Sequence, residues 1–191
     1  MKKLLVGLLL TISLISYGTT KIQKDFERKL ENLKSEKGNK SGKLYEDFGI
    51  FIDDGILLDV LTDGHKKMTY KINSAKVEGD TAVINLDMKS PNLSYYFPEF
   101  IKKVYELIFA DPENIKEDDE EFVNNFFKEK LNLKDLKYSK KNINVYLRKE
   151  GNDWLVDEEE SKNDDFNEMI TLGLLKLDDG LIWGFPENDE E

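Results

Sequence analysis

The chain of 191 residues has no cysteine, a single histidine and one long apolar run, which lies at its N-terminus. The absence of cysteine excludes a disulfide framework, a thiolate metal site and an acyl anchor on a cysteine side chain. Because His65 is the only histidine, a metal site built from several histidines is also excluded. The stability of the fold must therefore come from the burial of apolar side chains.

Positive charge is also scarce, because 28 Lys and Arg residues are outnumbered by 39 Asp and Glu residues, which gives a net charge of −11. Binding to nucleic acid or to an anionic lipid surface depends largely on cationic side chains. The composition therefore argues against a nucleic-acid partner.

The first residues, "MKKLLVGLLLTISLISYGTTK", have the pattern of a secretory signal peptide, with two lysines before the apolar run Leu4 to Ile15 and small residues before a cut near Gly18. This run is shorter than the roughly 20 apolar residues that cross a bilayer. We expect cleavage of residues 1–18, export to the periplasm or the medium, and no transmembrane segment afterwards. We expect a single domain over residues 19–185 and a solvated acidic tail, "PENDEE", over residues 186–191.

Helical spacing of apolar residues alternates with strand spacing along the mature chain. The predicted helices are one over residues 22–33, two over residues 44–61 with Gly55 and Gly64 as breaks, one with the stripe Phe97, Ile101, Val104 and Ile108, one from Asp118 to Leu131, and one from Asp165 to Lys176.

Two hairpins are predicted from "KVEGDTAVINLDM" and "KNINVYLRKEGNDWLVD", because their apolar residues alternate on either side of a short glycine turn. The first strand, "YKINSAKV", changes parity halfway, which predicts a bulge near Asn73 or Ser74. In the last strand, Trp154 and Val156 share a face, so we expect Trp154 to be largely buried against Ile101 and Tyr105.

Helices and hairpins in this order favour an antiparallel α+β domain in which a curved sheet wraps its helices. The stretches "YKINSAKVEGDTAVINLDMKSPNL", "NVYLRKEGNDWLVDEEE" and "FNEMITLGLL" resemble exported bacterial domains of unknown function with the nuclear-transport-factor-like (cystatin-like) cone fold. The resemblance covers about Leu44 to Leu175 and implies a concave inner sheet face that can hold a ligand or a partner. Many such relatives are lipoproteins, whereas "LISYGTT" stands here in place of the acylated cysteine.

Catalytic signals are weak in this sequence. His65, in "TDGHKKM", is interpreted as a solvated loop residue, and Asp53 and Asp54 as residues that break or cap a helix. The acidic runs "KEDDEE" and "DEEE" lack the ligand spacing of a calcium loop. No nucleophile elbow, phosphate loop or dinucleotide fingerprint is present. We therefore expect no cofactor and no metal.

The aromatic stretch "SYYFPEFIKKVY" is the remaining functional signal, because tyrosine combines an apolar ring with a polar hydroxyl and suits a pocket or an interface. Tyr95, Tyr96 and Tyr105 are the candidate binding residues. The predicted function is a non-catalytic exported binding domain for a protein or a small apolar ligand. The alternative is an isomerase or hydro-lyase that uses a pocket carboxylate.

Overall fold

A computed structural model describes residues 21–35, Phe48, and residues 57–110, 119–157 and 161–177. In this part of the chain the fold is α+β, with five α-helices and a four-stranded antiparallel open sheet of order β1-β2-β3-β4. The helices are α1 (21–33), α2 (Leu58–His65), α3 (Phe97–Ala110), α4 (Asp119–Leu131) and α5 (Asp164–Ile170), and the strands are β1 (Thr69–Glu78), β2 (Thr81–Pro91), β3 (Tyr138–Glu150) and β4 (Asp153–Val156).

Both predicted hairpins are confirmed. Each has a two-residue turn whose first residue is a glycine with positive φ, Gly79 at 61° and Gly151 at 60°. Glycine adopts a positive φ at no steric cost, which explains why the turns "EGD" and "EGN" contain it. The predicted bulge is confirmed too, because the β1–β2 register shifts between Ile72 and Ser74.

The core lies on one face of the sheet. Alternate residues of β2 and β3 are buried there, and α1, α2 and α5 cover them. The α1 stripe is confirmed, since its four apolar members are at most 3% exposed: Ile22, Phe26, Leu30 and Leu33. Ring centroids of Phe26, Phe48 and Phe166 lie 5.7–6.2 Å apart, so aromatic packing joins α1 to α5.

A second aromatic cluster joins α3 to α4. The Phe100 ring lies 5.2 Å from both Phe126 and Phe127, and Phe97 lies 6.1 Å from Phe127. Pro98 occupies the first turn of α3, as predicted. The predicted apolar face of α3 is only partly confirmed. Phe97 is buried, whereas Ile101, Val104 and Ile108 are half-exposed. The reason is that α3 packs through its first turns and its second half extends beyond the core.

Two predicted helix ends are wrong for packing reasons. Gly64 lies inside α2, where an added Cβ would come 2.1 Å from the Leu172 side chain, so it provides close approach and no break. The last helix ends at Ile170, because Leu172 and Gly173 both have positive φ, and a 3-10 turn, Leu174–Leu177, follows. The predicted leader, the acidic tail and most of residues 44–56 lie outside the described residues.

Candidate functional site

His65 is buried, and its interpretation as a solvated loop residue is wrong. It is the last residue of α2, its side chain is 0% exposed, and its Nε2 lies 2.5 Å from the carbonyl oxygen of Ile170. Desolvation lowers the pKa of His65 to about 4, although hydrogen bonding to the carbonyls of Ile170 and Leu33 opposes this shift. A neutral imidazole enclosed in this way joins three elements and is not positioned to contact a substrate.

Tyr96 is part of a structural cluster. Its hydroxyl accepts a hydrogen bond from the Lys137 amide at 3.2 Å, and the Lys130 ammonium lies 5.9 Å from its ring centroid. Lys130 is only 5% exposed, lies 4.9 Å from the Phe126 ring centroid and donates to Glu99 at 2.7 Å. This hydrogen bond lowers the pKa of Glu99, which favours its ionised carboxylate. No local pattern predicts a buried lysine here, since α4 ends in alternating charges.

Tyr95 and Tyr105 are both solvent-exposed, at 63% and 56%. Tyr95 lies in a 3-10 turn, Leu93–Tyr96, that precedes α3, whereas Tyr105 lies in the second half of α3. The structure therefore does not bring the three candidate tyrosines into one cluster.

Around Tyr105 the apolar surface of α3 is larger than the sequence pattern predicted. Phe109, one turn later, is 81% exposed and stacks on Tyr105 with ring centroids 6.4 Å apart. Ile101 and Ile108 are half-exposed at the spacing i, i+4, i+7, i+8 that places all four on one side of a helix. We call Ile101, Tyr105, Ile108 and Phe109 the α3 stripe. Phe109 was missed as a candidate, although its spacing from Tyr105 is visible in the sequence.

Trp154 lies on the core face with Val156, as its parity predicts, but it is half-exposed and not largely buried. It borders a cavity of about 30 Å³ whose other walls include Ile22 and Phe26 of α1. Lys29 of α1 donates to the Trp154 carbonyl at 2.9 Å. Trp154 therefore packs against α1 and not against α3, because β4 is the edge strand beneath α1. This cavity has about the volume of one water molecule and is too small for a ligand.

The acidic candidates are only partly described. Asp53 and Asp54 lie outside the described residues, and so do the first residues of "KEDDEE" and the end of "DEEE". The described part of the first run forms the start of α4. Among the described side chains, no three acidic or histidine groups are arranged to hold a metal ion. None of the helices in the described ranges has the length and apolar character that a bilayer span requires.

Neither a protein-family model nor a curated protein sequence matches this chain. Among solved structures, the chain is similar to a Bacillus subtilis protein named "putative lipoprotein (ycdA)", with 20% sequence identity and a TM-score of 0.37. The match covers 61% of this chain and 38% of that chain, so this chain spans less than half the length of that protein. The comparison supports the predicted resemblance only as far as a similarity to that protein. This chain has no cysteine.

Proposed function

We propose that this protein is an exported, non-catalytic binding domain that docks a partner protein along the α3 stripe. The observation that carries the proposal is the exposure of Tyr105 and Phe109 at one end of α3. Exposed apolar side chains that adjoin one another on a helix are typical of surfaces that enter an apolar groove of another protein.

The occupant is a protein, for two reasons. A helix surface is convex, so it cannot enclose a small apolar molecule as a pocket does. The net charge of −11 opposes approach to an anionic membrane surface. Lys102 and Glu106, which pair at 3.6 Å beside the stripe, would form a polar rim of both signs.

The non-catalytic part of the proposal is supported by His65. An enzyme of the isomerase or hydro-lyase kind needs a titratable group with a shifted pKa in contact with a cavity. His65 has such a pKa, but its side chain is 0% exposed and packed against Ile170, so it does not contact a substrate, whereas Asp53 and Asp54 lie outside the described residues.

A finer fold assignment belongs to the same proposal. We infer a nuclear-transport-factor-like cone, whose sheet curves around its helices. Its support is the one-sided placement of α1, α2 and α5 and the bulge in β1, which bends a sheet.

The test is a capture experiment with tagged mature protein and three variants, namely Tyr105→Ser/Phe109→Ser, Tyr95→Ser and the control Leu175→Ser. Leu175 is also exposed, at 41%, but is not on α3. The double variant should bind the captured protein at least about tenfold more weakly, since aromatic anchors contribute about 2 kcal/mol or more each. Leu175→Ser should bind like the wild type, and Tyr95→Ser shows whether the surface reaches the start of α3.

Melting curves separate loss of binding from loss of folding, because substitutions at exposed positions change stability by only about 0.5 kcal/mol. Equal capture by all variants would contradict the proposal. So would a stripe that binds vesicles, or one that only joins two copies of this chain, as measured by flotation and light scattering.

A further inference from the structure

The outer face of the sheet carries an open groove of about 450 Å³, away from α3. It crosses β1, β2 and β3 near the start of β1. In one row Thr69, Lys89 and Lys140 lie side by side, and in the next Lys71, Asp87 and Asn142 do so. All of these side chains project to the face opposite the core, because buried Met88 lies between Asp87 and Lys89.

Three lysines of this groove, Lys71, Lys89 and Lys140, form no direct ion pair with a carboxylate in the described ranges. Lys71 does lie opposite Asp87, and its charge contributes to the lowered pKa of that carboxylate. A fourth lysine at the groove, Lys141, donates to Asp165 at 2.5 Å and to Glu168 at 2.8 Å, and is therefore neutralised. In a chain with an excess of acidic residues, three lysines on adjacent strands without a direct ion pair are an unexpected concentration of positive charge.

The placement of Lys89 and Lys140 opposes folding. Lys89 and Lys140 are direct cross-strand neighbours, and like charges in this position destabilise a sheet. The Lys89 ammonium lies 4.1 Å from the Tyr138 ring centroid, which offsets part of this repulsion. Lys71 lies opposite Asp87, whose carboxylate accepts a hydrogen bond from Asn142 at 2.7 Å.

The groove therefore has a net positive charge. Hydrogen bonds from Asn142 and Asn73 hold the pKa of Asp87 below its usual value, so this carboxylate stays ionised but is already occupied by amide donors. On the outer face one carboxylate stands against three ammonium groups, and Lys141 with Asp165 and Glu168 adds one ammonium group and two carboxylates, so four positive charges against three negative charges leave an excess of one. A bound anion would compensate this charge.

We propose that this groove binds a compact, phosphate-bearing anion, which the ammonium groups of Lys89, Lys140 and Lys71 hold. Lysine offers a point charge with three donors, which suits a tetrahedral phosphate, whereas planar carboxylates favour the fork of arginine. The ligand is compact because the positive potential is local: beyond a Debye length of about 8 Å the acidic remainder of the surface would repel a long polyanion.

The test uses inorganic phosphate and pyrophosphate as probes in isothermal titration calorimetry with the full mature chain. The groove variant is Lys89→Gln/Lys140→Gln. The matched control is Lys76→Gln/Lys134→Gln, which removes the same charge from two exposed lysines that lie outside the groove. We expect the groove variant to bind pyrophosphate at least about tenfold more weakly and the control less than about twofold more weakly, because charge-assisted hydrogen bonds are lost only in the groove.

Thermal melting gives a second readout. Pyrophosphate should raise the melting temperature of the wild type and of the control, and leave that of the groove variant unchanged, because only a bound ligand stabilises the native state. Without any anion, the groove variant should melt no lower than the wild type, since a like-charge neighbour has been removed.

Equal weakening in both variants would overturn the proposal, since it would reflect net charge alone. Absence of saturable binding up to about 10 mM of either probe would also overturn it. Flotation with phosphatidylglycerol and phosphatidylcholine vesicles separates the two sources of phosphate. Binding to soluble phosphates alone supports the compact ligand, whereas vesicle binding that needs Lys89 and Lys140 would assign the groove to a lipid phosphate and contradict a compact soluble ligand.

Discussion

At the scale of single residues, His65 is a polar group that the core encloses fully, with 0% of it exposed. Its ring nitrogens face the carbonyls of Ile170 and Leu33, which belong to α5 and α1 and can only accept a hydrogen bond from the ring. A neutral imidazole has one N–H and can donate to only one carbonyl at a time. The cost of burying an imidazolium exceeds the gain from a second hydrogen bond, so the native state keeps His65 neutral.

The first prediction concerns the pH dependence of stability. Between the ordinary pKa of 6.5 and the native value of about 4, the unfolded chain holds a proton on His65 that the native protein does not. Acidification through this window should therefore lower the free energy of unfolding, by up to about 1.4 kcal/mol per pH unit. Above pH ~7 both states are neutral and the contribution is constant.

Urea titrations at several pH values, for the wild type and His65→Gln, measure this effect. The variant should be less stable at neutral pH, because the buried site loses its ring, and its stability should fall less steeply between pH ~6.5 and ~4.5. An identical pH slope in both proteins would show that His65 titrates normally.

At the scale of elements, the edge of the sheet explains why Trp154 is half-exposed. β4 pairs with β3 over only four residues and ends at Val156. Beyond it the side chain of Asn163 takes over the strand pairing, accepting from the Tyr146 amide at 2.9 Å and donating to the Tyr146 carbonyl at 3.1 Å. An edge strand this short is covered by one helix only, so a large ring on it stays partly open.

The second prediction follows from this position. Trp154→Ala should lower the free energy of unfolding by about 1–3 kcal/mol, which is less than the 3–5 kcal/mol typical of a fully enclosed large aromatic residue. Leu155→Ala is the matched control, because Leu155 is half-exposed on the opposite face of the same strand. It should cost less than about 1 kcal/mol. A loss above about 4 kcal/mol for Trp154→Ala, or one no larger than the control, would show that the contact with α1 is misjudged.

At the scale of the whole molecule, the third prediction is that the chain is exported and loses its leader. The apolar run from Leu4 to Ile15 is followed by Ser16 and Gly18, the small residues that a signal peptidase requires. Intact-mass measurement of the exported protein should show a chain that begins near Thr19. A protein that kept Met1 and fractionated with membranes would contradict this prediction.

Local patterns were sufficient for much of the fold. Strict alternation identified β2 and β3, and the parity change in β1 located its bulge, because the side-chain period of a strand is a local property. The glycine turns at Gly79 and Gly151 were equally readable, since their backbone conformation excludes most other residues. The sequence by itself therefore determined the element types, the hairpins, the α+β class and the acidic charge.

Tertiary structure decided which elements and side chains are neighbours. The spacing of apolar residues along α3 could not show that only the first turns of this helix are covered, because the coverage depends on where α4 and the sheet lie. The local sequence around His65 is typical of a loop, and only the packing of α1 and α5 against this residue makes it buried. The lysine groove exists only because β2 pairs with β3 across the intervening helices and sets Lys89 opposite Lys140. Such long-range register depends on the packing of distant elements, and for that reason no local pattern contains it.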